Sequence, residues 1–375
     1  MTRLLGVLLM VLIVYAVLMG SFAPARSLQN HQTLAERLGY YGILTLGVGV
    51  LIVSGGIDLS IGSLVGLVVV YFGLLLNGPL TARQTIPLAV CLGLDGALLC
   101  YALIPAGRVP PFVAALISLV PGVALTWACH RFLPGQRLPP WTALVLLLVF
   151  ASQIGLFHGL LITRLRLQPF LVTLCGLFMY RGLARWLSPG ALDLPSVGPS
   201  AGMRELLVSD RTLGFPHVLL LMALVAIVLA VVLHGSVYGR YWFAIGYNEQ
   251  AARYAGISTE RHKIAAYIIC STLAGLGGVL FLLMYRNATP SSAGSLLELY
   301  AITGAVLGGC SLRGGEGTIP GIVLGAAVLP ILQQICTYNR AIGSDLEYTV
   351  IGGALLLATI ANELVTRLSK LRGRA

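Results

Sequence analysis

Long runs of apolar residues, separated by short polar segments, dominate the chain. A helix that crosses a bilayer needs about 20 mainly apolar residues, with a range of ~17–25. Runs of that length, or close to it, occupy residues 4–21, 40–53, 61–76, 86–104, 112–128, 141–162, 170–187, 218–233, 264–284, 299–307, 319–335 and 348–360. The pattern predicts an all-α polytopic membrane protein with about twelve transmembrane or broken helices.

Composition supports this prediction. Of the residues, 57% are hydrophobic and only 10% are charged, whereas soluble domains are nearer ~45–50% and ~25%. So few charges exclude an ordinary soluble enzyme, a disordered chain and a coiled coil. The net charge of +11 comes from basic residues scattered between apolar runs. We therefore attribute it to orientation in a lipid bilayer and expect no nucleic-acid partner.

Basic residues in the short loops indicate the orientation. Counting crossings alternately from a cytoplasmic N-terminus, with an even number of spans, places both termini in the cytoplasm. Many basic residues then fall on the cytoplasmic side: Arg3, Arg108, Arg164, Arg166, Arg240, Arg253, Arg261, Lys263, Arg313, Arg367, Lys370, Arg372 and Arg374. Residues 4–21 lack a clear small-x-small cleavage site, so we expect an uncleaved first span. The loop at 188–216 carries more acids and is expected to be external.

Two glycine-rich stretches interrupt the apolar pattern. SGGIDLSIGS at residues 54–63 and GGCSLRGG at residues 308–315 each follow an apolar run and precede another. Paired interruptions of this kind are typical of broken helices that line a translocation pathway. The candidate pathway residues are Gly55, Gly56, Asp58, Ser60, Gly308, Gly309, Ser311, Gly314 and Gly315. For Asp58 two roles stay open: a cap on the following helix, which we favour, and a group in the pathway.

The most polar of the loops predicted to be cytoplasmic spans residues 235–263. Asn248 is placed to cap a short helix that Gly256 ends, and Glu249 and Arg253 are four residues apart on it. Such a helix suits docking on another protein. The alternative is an interfacial turn without a partner.

No low-complexity linker divides the chain, so we expect a single transmembrane domain over residues 1–375. Residues 107–116 resemble residues 165–174, and each copy places an arginine in a tight proline-containing loop between two spans. The seven cysteines form no Cys-x-x-Cys pattern and lie mostly in apolar runs. We expect no metal site and no cofactor.

The chain resembles a known family, the permease subunits of sugar ABC importers of the ribose, xylose, galactose and arabinose type. Three stretches carry the resemblance: SGGIDLSIGS at 54–63; GYNEQAARYAGI at 246–257 with LAGLGG at 273–278; and residues 298–302 with VLGGCSLRGGEG at 306–317. Family members have about ten spans. The resemblance therefore implies an extra two-helix hairpin at about residues 80–140.

The resemblance also implies roles and partners. The coupling helix, which would dock on a cytoplasmic ATP-binding subunit, would include Gly246, Asn248, Glu249, Ala252, Arg253 and Gly256. The two glycine breaks would face the pathway between two permease subunits, expected to be a homodimer. A periplasmic sugar-binding protein would deliver a monosaccharide. The location would be the bacterial inner membrane.

Other functions are weighed against this one. Neither lysine follows a glycine in a phosphate-binding loop, so we expect a non-enzymatic subunit whose ATP hydrolysis resides in a partner chain. A branched-chain amino-acid ABC permease is the nearest alternative. An ion-coupled transporter would depend on Asp58 and Asp95, the acids well inside spans. A membrane enzyme is disfavoured because the sequence has no His-Glu-x-x-His or Gly-x-Ser-x-Gly.

Overall fold

The computed structural model describes residues 2–78, 80–81, 84–90, 111–132, 138–195 and 198–339, with isolated positions at 93–94, at 97 and beyond 348. The described part of the chain is 79% helical. In the described part, seven helices are long and apolar enough to cross a membrane. The predicted all-α polytopic fold is therefore confirmed. The run at 348–360, most of the run at 86–104 and the turn of the hairpin at 80–140 lie outside the described residues.

Thirteen α-helices have defined bounds within the described residues. In chain order they are α1 (Thr2–Ser21), α2 (Leu28–Val53), α3 (Ile61–Asn77), α4 (Pro111–Phe132), α5 (Pro140–Thr163), α6 (Pro169–Leu187), α7 (Pro199–Arg204), α8 (His217–Ala230), α9 (Val237–Tyr247), α10 (Glu249–Tyr254), α11 (Thr259–Tyr285), α12 (Leu297–Leu307) and α13 (Ile319–Tyr338). Strand β1 (Leu192–Asp193) pairs antiparallel with β4 (Asn287–Ala288), and β2 (Arg211–Thr212) with β3 (Phe215–Pro216).

Local sequence signals explain where most helices begin. Prolines occupy the first turns of α5, α6 and α13, where a missing N–H costs nothing. Helix α2 begins at Leu28 rather than at residue 40, so the predicted start was wrong. The Ser27 hydroxyl accepts a hydrogen bond from the Asn30 N–H at 3.2 Å and caps the helix. Hydropathy misses such a start because the polar residues of the first turns interrupt the apolar run while remaining helical.

The chain divides into two compact units. Unit 1 comprises residues 1–58, 208–266 and 296–375, and unit 2 comprises residues 59–207 and 267–295. The chain passes between them in the first glycine break, after α7, within α11 and just before α12.

Unit 1 is built around α2, whose second half is buried. Helices α8, α12 and α13 pack on it, and α1 packs on α13. Glycines on α2 permit the close approach: a Cβ added to Gly39 would lie 2.7 Å from the Val218 carbonyl carbon, and one added to Gly49 would lie 2.5 Å from the Ile322 side chain. Small residues at such interfaces are typical of membrane helices, where close packing drives association.

Unit 2 is built around α3, on which α5 and α6 pack. The second half of α11 packs closely on both α3 and α5. A Cβ at Gly278 would lie 2.8 Å from Val68, and one at Gly155 would lie 2.5 Å from the Tyr267 carbonyl oxygen. The tight loop at 164–168 joins α5 to α6, as the arginine–proline pattern predicts. In the other copy, residues 107–110 lie outside the described residues, and residues 111–116 begin α4.

Candidate coupling and translocation site

The first glycine break ends α2 with a defined backbone motif. Gly55 has φ of +80°, a conformation that suits glycine. Its N–H donates to the Ile52 carbonyl at 2.8 Å, and the Gly56 N–H donates to the Leu51 carbonyl at 3.0 Å. This is a Schellman motif, which satisfies two of the carbonyls that a helix end leaves open.

The second break ends α12 in the same way. Gly309 has φ of +95°. Its N–H donates to the Val306 carbonyl at 2.9 Å, and the Cys310 N–H donates to the Ala305 carbonyl at 3.0 Å. The similarity seen between the two stretches in the sequence thus corresponds to one shared hydrogen-bond pattern.

Unit 1 brings the two breaks into direct contact. The Gly315 N–H donates to the Val53 carbonyl, the last of α2, at 2.9 Å. A Cβ added to Gly314 would lie 2.9 Å from the Gly55 Cα. The two segments therefore meet backbone to backbone, an approach that only glycine permits.

Gly246, near the end of α9, lies at the same point. A Cβ there would collide with the Val53 carbonyl oxygen and the Gly315 nitrogen, and one on Gly315 would lie 2.7 Å from the Tyr247 nitrogen. We call Gly55, Gly246, Gly314 and Gly315 the glycine junction. Because α10 begins at Glu249, the candidate coupling helix follows this junction directly.

Helix α10 has the caps that the sequence predicts. The Asn248 side chain accepts a hydrogen bond from the Ala251 N–H at 3.0 Å. The Gly256 N–H donates to the Arg253 carbonyl at 3.0 Å, which repeats the helix ending seen at both breaks. The predicted cap and the predicted stop are confirmed. The Ala251 N–H at the start of the helix and the Arg253 carbonyl at its end thus have partners within the loop.

The predicted ion pair of α10 is also confirmed, and it has a second role. Glu249 lies 3.7 Å from Arg253 on the same helix and also binds Lys263 on α11. Arg253 reaches the Thr259 hydroxyl at 3.4 Å. The three charged groups hold α10 against the start of α11. Exposed pairs of this kind add little stability, so their main effect is to fix the helix orientation.

Two tyrosines beside the ion pair are highly exposed, one on α10 and one at the end of α9. Tyr254 is 91% exposed and Tyr247 is 84% exposed, with Gln250 and Ala251 exposed beside them. Ala252, by contrast, is buried and faces the protein. The sequence-based selection of docking residues omitted both tyrosines. Their signal was present, since tyrosine is enriched at protein interfaces and these two lie in an otherwise polar loop.

Helices α9 and α11 form a firm base for α10. Trp242 is buried and its indole N–H donates to the His262 carbonyl at 2.8 Å. The Ser236 hydroxyl caps α9 by accepting from the Gly239 N–H at 3.3 Å. The exposed surface of α10 is therefore carried by ordered neighbours.

The remaining residues of the first break lie between α2 and α3. Asp58 and Ser60 are fully buried, and Gly56 is buried as well. Helix α3 begins at Ile61 with Ser60, not Asp58, at the N-cap position. Both roles considered for Asp58, a cap and a group in the pathway, stay predictions.

Two residues of the second break have local packing roles. Gly308 packs on α13, where a Cβ would lie 2.7 Å from the Gly321 carbonyl carbon. Gly304 on α12 and Gly308 directly after it face Gly321 and Gly325 on α13, so two Gly-x-x-x-Gly patterns form one close contact. Ser311 holds its own loop, since its N–H donates to the Glu316 carbonyl at 3.2 Å. Their predicted place in the pathway stays a prediction.

Cys310, between α12 and α13, shows how closed the junction region is. Its side chain is buried, and a Cβ on Gly317 would lie 2.7 Å from its sulfur. Burial raises the pKa of the Cys310 thiol to about 12, because a thiolate would lose its hydration there.

The geometry defines a helical membrane protein with a capped, exposed helix joined to two broken spans. A family model described as the permease component of the branched-chain amino acid transport system matches residues 32–359. The chain therefore belongs to this family of membrane permease components.

Individual relatives of the chain are also permease proteins. A probable ABC transporter permease protein, y4mJ, of Sinorhizobium fredii strain NBRC 101917 / NGR234 is 32% identical over 364 residues, which are 96% of this chain and 88% of that protein. The ribose import permease RbsC of Escherichia coli strain K12 is 28% identical over 327 residues, or 87% and 83%. The autoinducer 2 import system permease protein LsrD of Enterobacter sp. strain 638 is 28% identical over 331 residues, or 87% and 83%. No solved structure matches the chain.

Proposed function

We propose that the chain is the membrane-spanning subunit of an ATP-driven importer and forms the translocation pathway for a monosaccharide. The observation that carries the proposal is the position of α10. Tyr254 on α10 and Tyr247 at the end of α9 form an exposed surface next to the glycine junction, where the ends of α2 and α9 and the loop after α12 meet backbone to backbone. A displacement of α10 would therefore reach both broken segments without passing through flexible side chains.

The proposed partners follow from this arrangement. A cytoplasmic ATP-binding subunit would bind the surface formed by Tyr247 and Tyr254. That subunit would hydrolyse the ATP. ATP-driven closure of that subunit would shift α10 and bias the permease between two states, since the partner binds one state better. A periplasmic binding protein would deliver the solute, and a second copy of this chain would complete the pathway. The location would be the bacterial inner membrane.

The relatives favour a sugar over an amino acid as the substrate. Relatives that cover most of this chain are named for ribose and autoinducer 2 import, whereas the family description names branched-chain amino acids. A comparison of D-ribose with L-leucine separates the two. We expect D-ribose, or a related pentose or hexose, to be taken up, and L-leucine to be neither taken up nor competitive.

Uptake into proteoliposomes tests the energy source. The assembled importer should take up labelled sugar only when ATP is supplied together with the binding protein. A hydrolysis-inactive ATPase should abolish uptake, whereas a protonophore should leave it unchanged. Uptake that persists with the inactive ATPase, or that the protonophore abolishes at constant ATP, would instead support the ion-coupled alternative built on buried Asp58.

A tyrosine substitution tests the docking surface. Tyr254→Ala should weaken binding of the ATPase by about tenfold or more, since exposed tyrosines at the centre of an interface often contribute ~2 kcal/mol. Tyr254→Phe keeps the ring and should bind nearly normally. Pull-down at several ATPase concentrations gives the affinity. If both variants bind the ATPase as tightly as the parent does, α10 is not the docking helix.

A further inference from the structure

A non-helical segment of unit 2 runs deep alongside α3. Strand β4 pairs with β1 through Ala288 and Leu192, and Leu192 packs beside Gly73. Further along, the Ala293 carbonyl reaches Gly66, where a Cβ would lie 2.6 Å from its oxygen, and Gly294 contacts the Gly62 carbonyl. From Gly73 to Gly62, α3 extends by about 16 Å, since a helix rises 1.5 Å per residue. That is about half the ~30 Å hydrocarbon thickness.

Unit 2 holds this segment, residues 289–295, in place by polar and steric contacts. Arg181, within α6, donates a hydrogen bond from its guanidinium to the Ala293 carbonyl. Gly294 has φ of +75°, and the Ala293 N–H donates to the Thr289 carbonyl at 2.8 Å in a tight turn. A charged side chain inside a span is costly, and here it satisfies a backbone carbonyl that helix or sheet pairing does not. We call residues 289–295 the re-entrant segment.

The two sides of the re-entrant segment differ. Pro290, Ala293 and Gly294 are buried. The opposite side is formed by exposed residues that carry hydroxyl groups, Thr289, Ser291, Ser292 and Ser295, and the Ser292 hydroxyl donates to the Thr289 carbonyl at 3.5 Å. Lipid tails offer no hydrogen bonds, so irregular backbone at membrane depth is tolerated only where protein covers it or where it lines water. A side that consists of small hydroxyl residues is suited to water.

We propose that the exposed side of the re-entrant segment lines the aqueous pathway and binds a neutral polyhydroxylated solute. Ser and Thr hydroxyls both donate and accept hydrogen bonds, so they suit a sugar, whose hydroxyls do the same. The segment itself carries no charged side chain, which matches an uncharged solute. This inference rests on the proposed function and adds the residues that would contact the substrate.

Cysteine accessibility tests the aqueous lining. In the assembled importer, Ser292→Cys should react with a hydrophilic, membrane-impermeant methanethiosulfonate. The matched control is Phe178→Cys on α6, whose native side chain is 68% exposed along a membrane span and should resist that reagent. Peptide-resolved mass spectrometry separates the new thiol from native cysteines, and the parent chain gives the background. No reaction at Ser292→Cys would overturn the inference, because it would place lipid or a second copy against the segment.

Protection by sugar tests the binding role. Saturating D-ribose should slow the Ser292→Cys reaction by about fivefold or more, since bound ligand blocks the thiol by mass action. L-Leucine is the matched probe and should give no protection. The double variant Ser292→Ala with Ser295→Ala should raise the KM for uptake about three- to tenfold, as expected for lost neutral hydrogen bonds. Labelling without ribose protection, or an unchanged KM, would overturn the binding role.

These outcomes are distinguishable from failure of the proposed function. If the parent importer shows no ATP-dependent sugar uptake, the proposed function fails. If the parent transports ribose while the serine variants behave as the parent does, the function stands and the assignment of the re-entrant segment fails.

Discussion

The glycine junction of unit 1 and the re-entrant segment of unit 2 use glycine for opposite purposes. In the junction, backbone closes on backbone, and the Gly315 N–H satisfies the Val53 carbonyl. In the re-entrant segment, glycines let a non-helical stretch of backbone lie against α3 while residues with hydroxyl side chains remain exposed. The first arrangement is closed and suits transmission of force. The second leaves polar groups available and suits contact with solute.

The largest expected effect is at the junction. In Gly246→Val, the added side chain would collide with the Val53 carbonyl oxygen and the Gly315 nitrogen, which are backbone atoms and cannot rotate away. Overpacking of this kind costs about 1–3 kcal/mol, so we expect a lower melting temperature and loss of transport. The control is Gly235→Ala, whose Cβ would have only a contact at 3.9 Å. Equal stability of the two variants, measured by thermal unfolding, would contradict the junction's close packing.

The next effect is at the re-entrant segment. Gly294→Ala must place a Cβ on a residue with φ of +75° and against the Gly62 carbonyl. The conformation alone costs about 1–2 kcal/mol. Uptake should fall severely while ATPase binding stays normal, since α10 belongs to unit 1. Gly182→Ala, where a Cβ meets no atom within 4 Å, serves as the control. Loss of ATPase binding in Gly294→Ala would contradict the separate roles assigned to the glycine junction and the re-entrant segment.

A smaller effect is expected from the ion pair of α10. Exposed pairs four residues apart contribute about 0.3–0.5 kcal/mol. Replacing Glu249 and Arg253 together by alanine should therefore leave stability almost unchanged, but it frees α10 from Lys263 and Thr259. We expect more ATP hydrolysed per sugar transported. The ratio of the two rates measures this, and an unchanged ratio would mean that the junction alone positions α10.

The smallest expected effect concerns Cys310, whose thiol should react slowly with a labelling reagent. Because burial raises the pKa of Cys310 to about 12, its thiol is neutral at pH 8. Only about one molecule in ten thousand then carries the reactive thiolate. Maleimide labelling of Cys310 at pH 8 should therefore be slow, whereas an exposed thiol with a pKa near 8.5 is partly ionised at that pH and should label readily. Rapid labelling at pH 8, as expected for Ser292→Cys, would show that the junction is open to water.

Hydropathy and local motifs were enough to predict most of the fold and part of the site. The spans at 141–162, 170–187 and 319–335 correspond closely to α5, α6 and α13. Asn248 and Gly256 bound α10 as predicted because capping depends on neighbours within one helical turn. The start of α2 was missed because its first turns are polar. The re-entrant segment was missed because a short run of small polar residues looks like any external loop.

The sequence by itself determined that the protein is helical and membrane-embedded, where its helices break, and that the two breaks have the same form. These properties depend on composition and on contacts between residues close in the chain. Only the tertiary structure decided that residues 55, 246 and 315 meet at one point, that the tyrosines rather than Ala252 face outward, and that residues 289–295 descend along α3. Each of these depends on packing between segments far apart in the chain, and a linear pattern contains no distance between them.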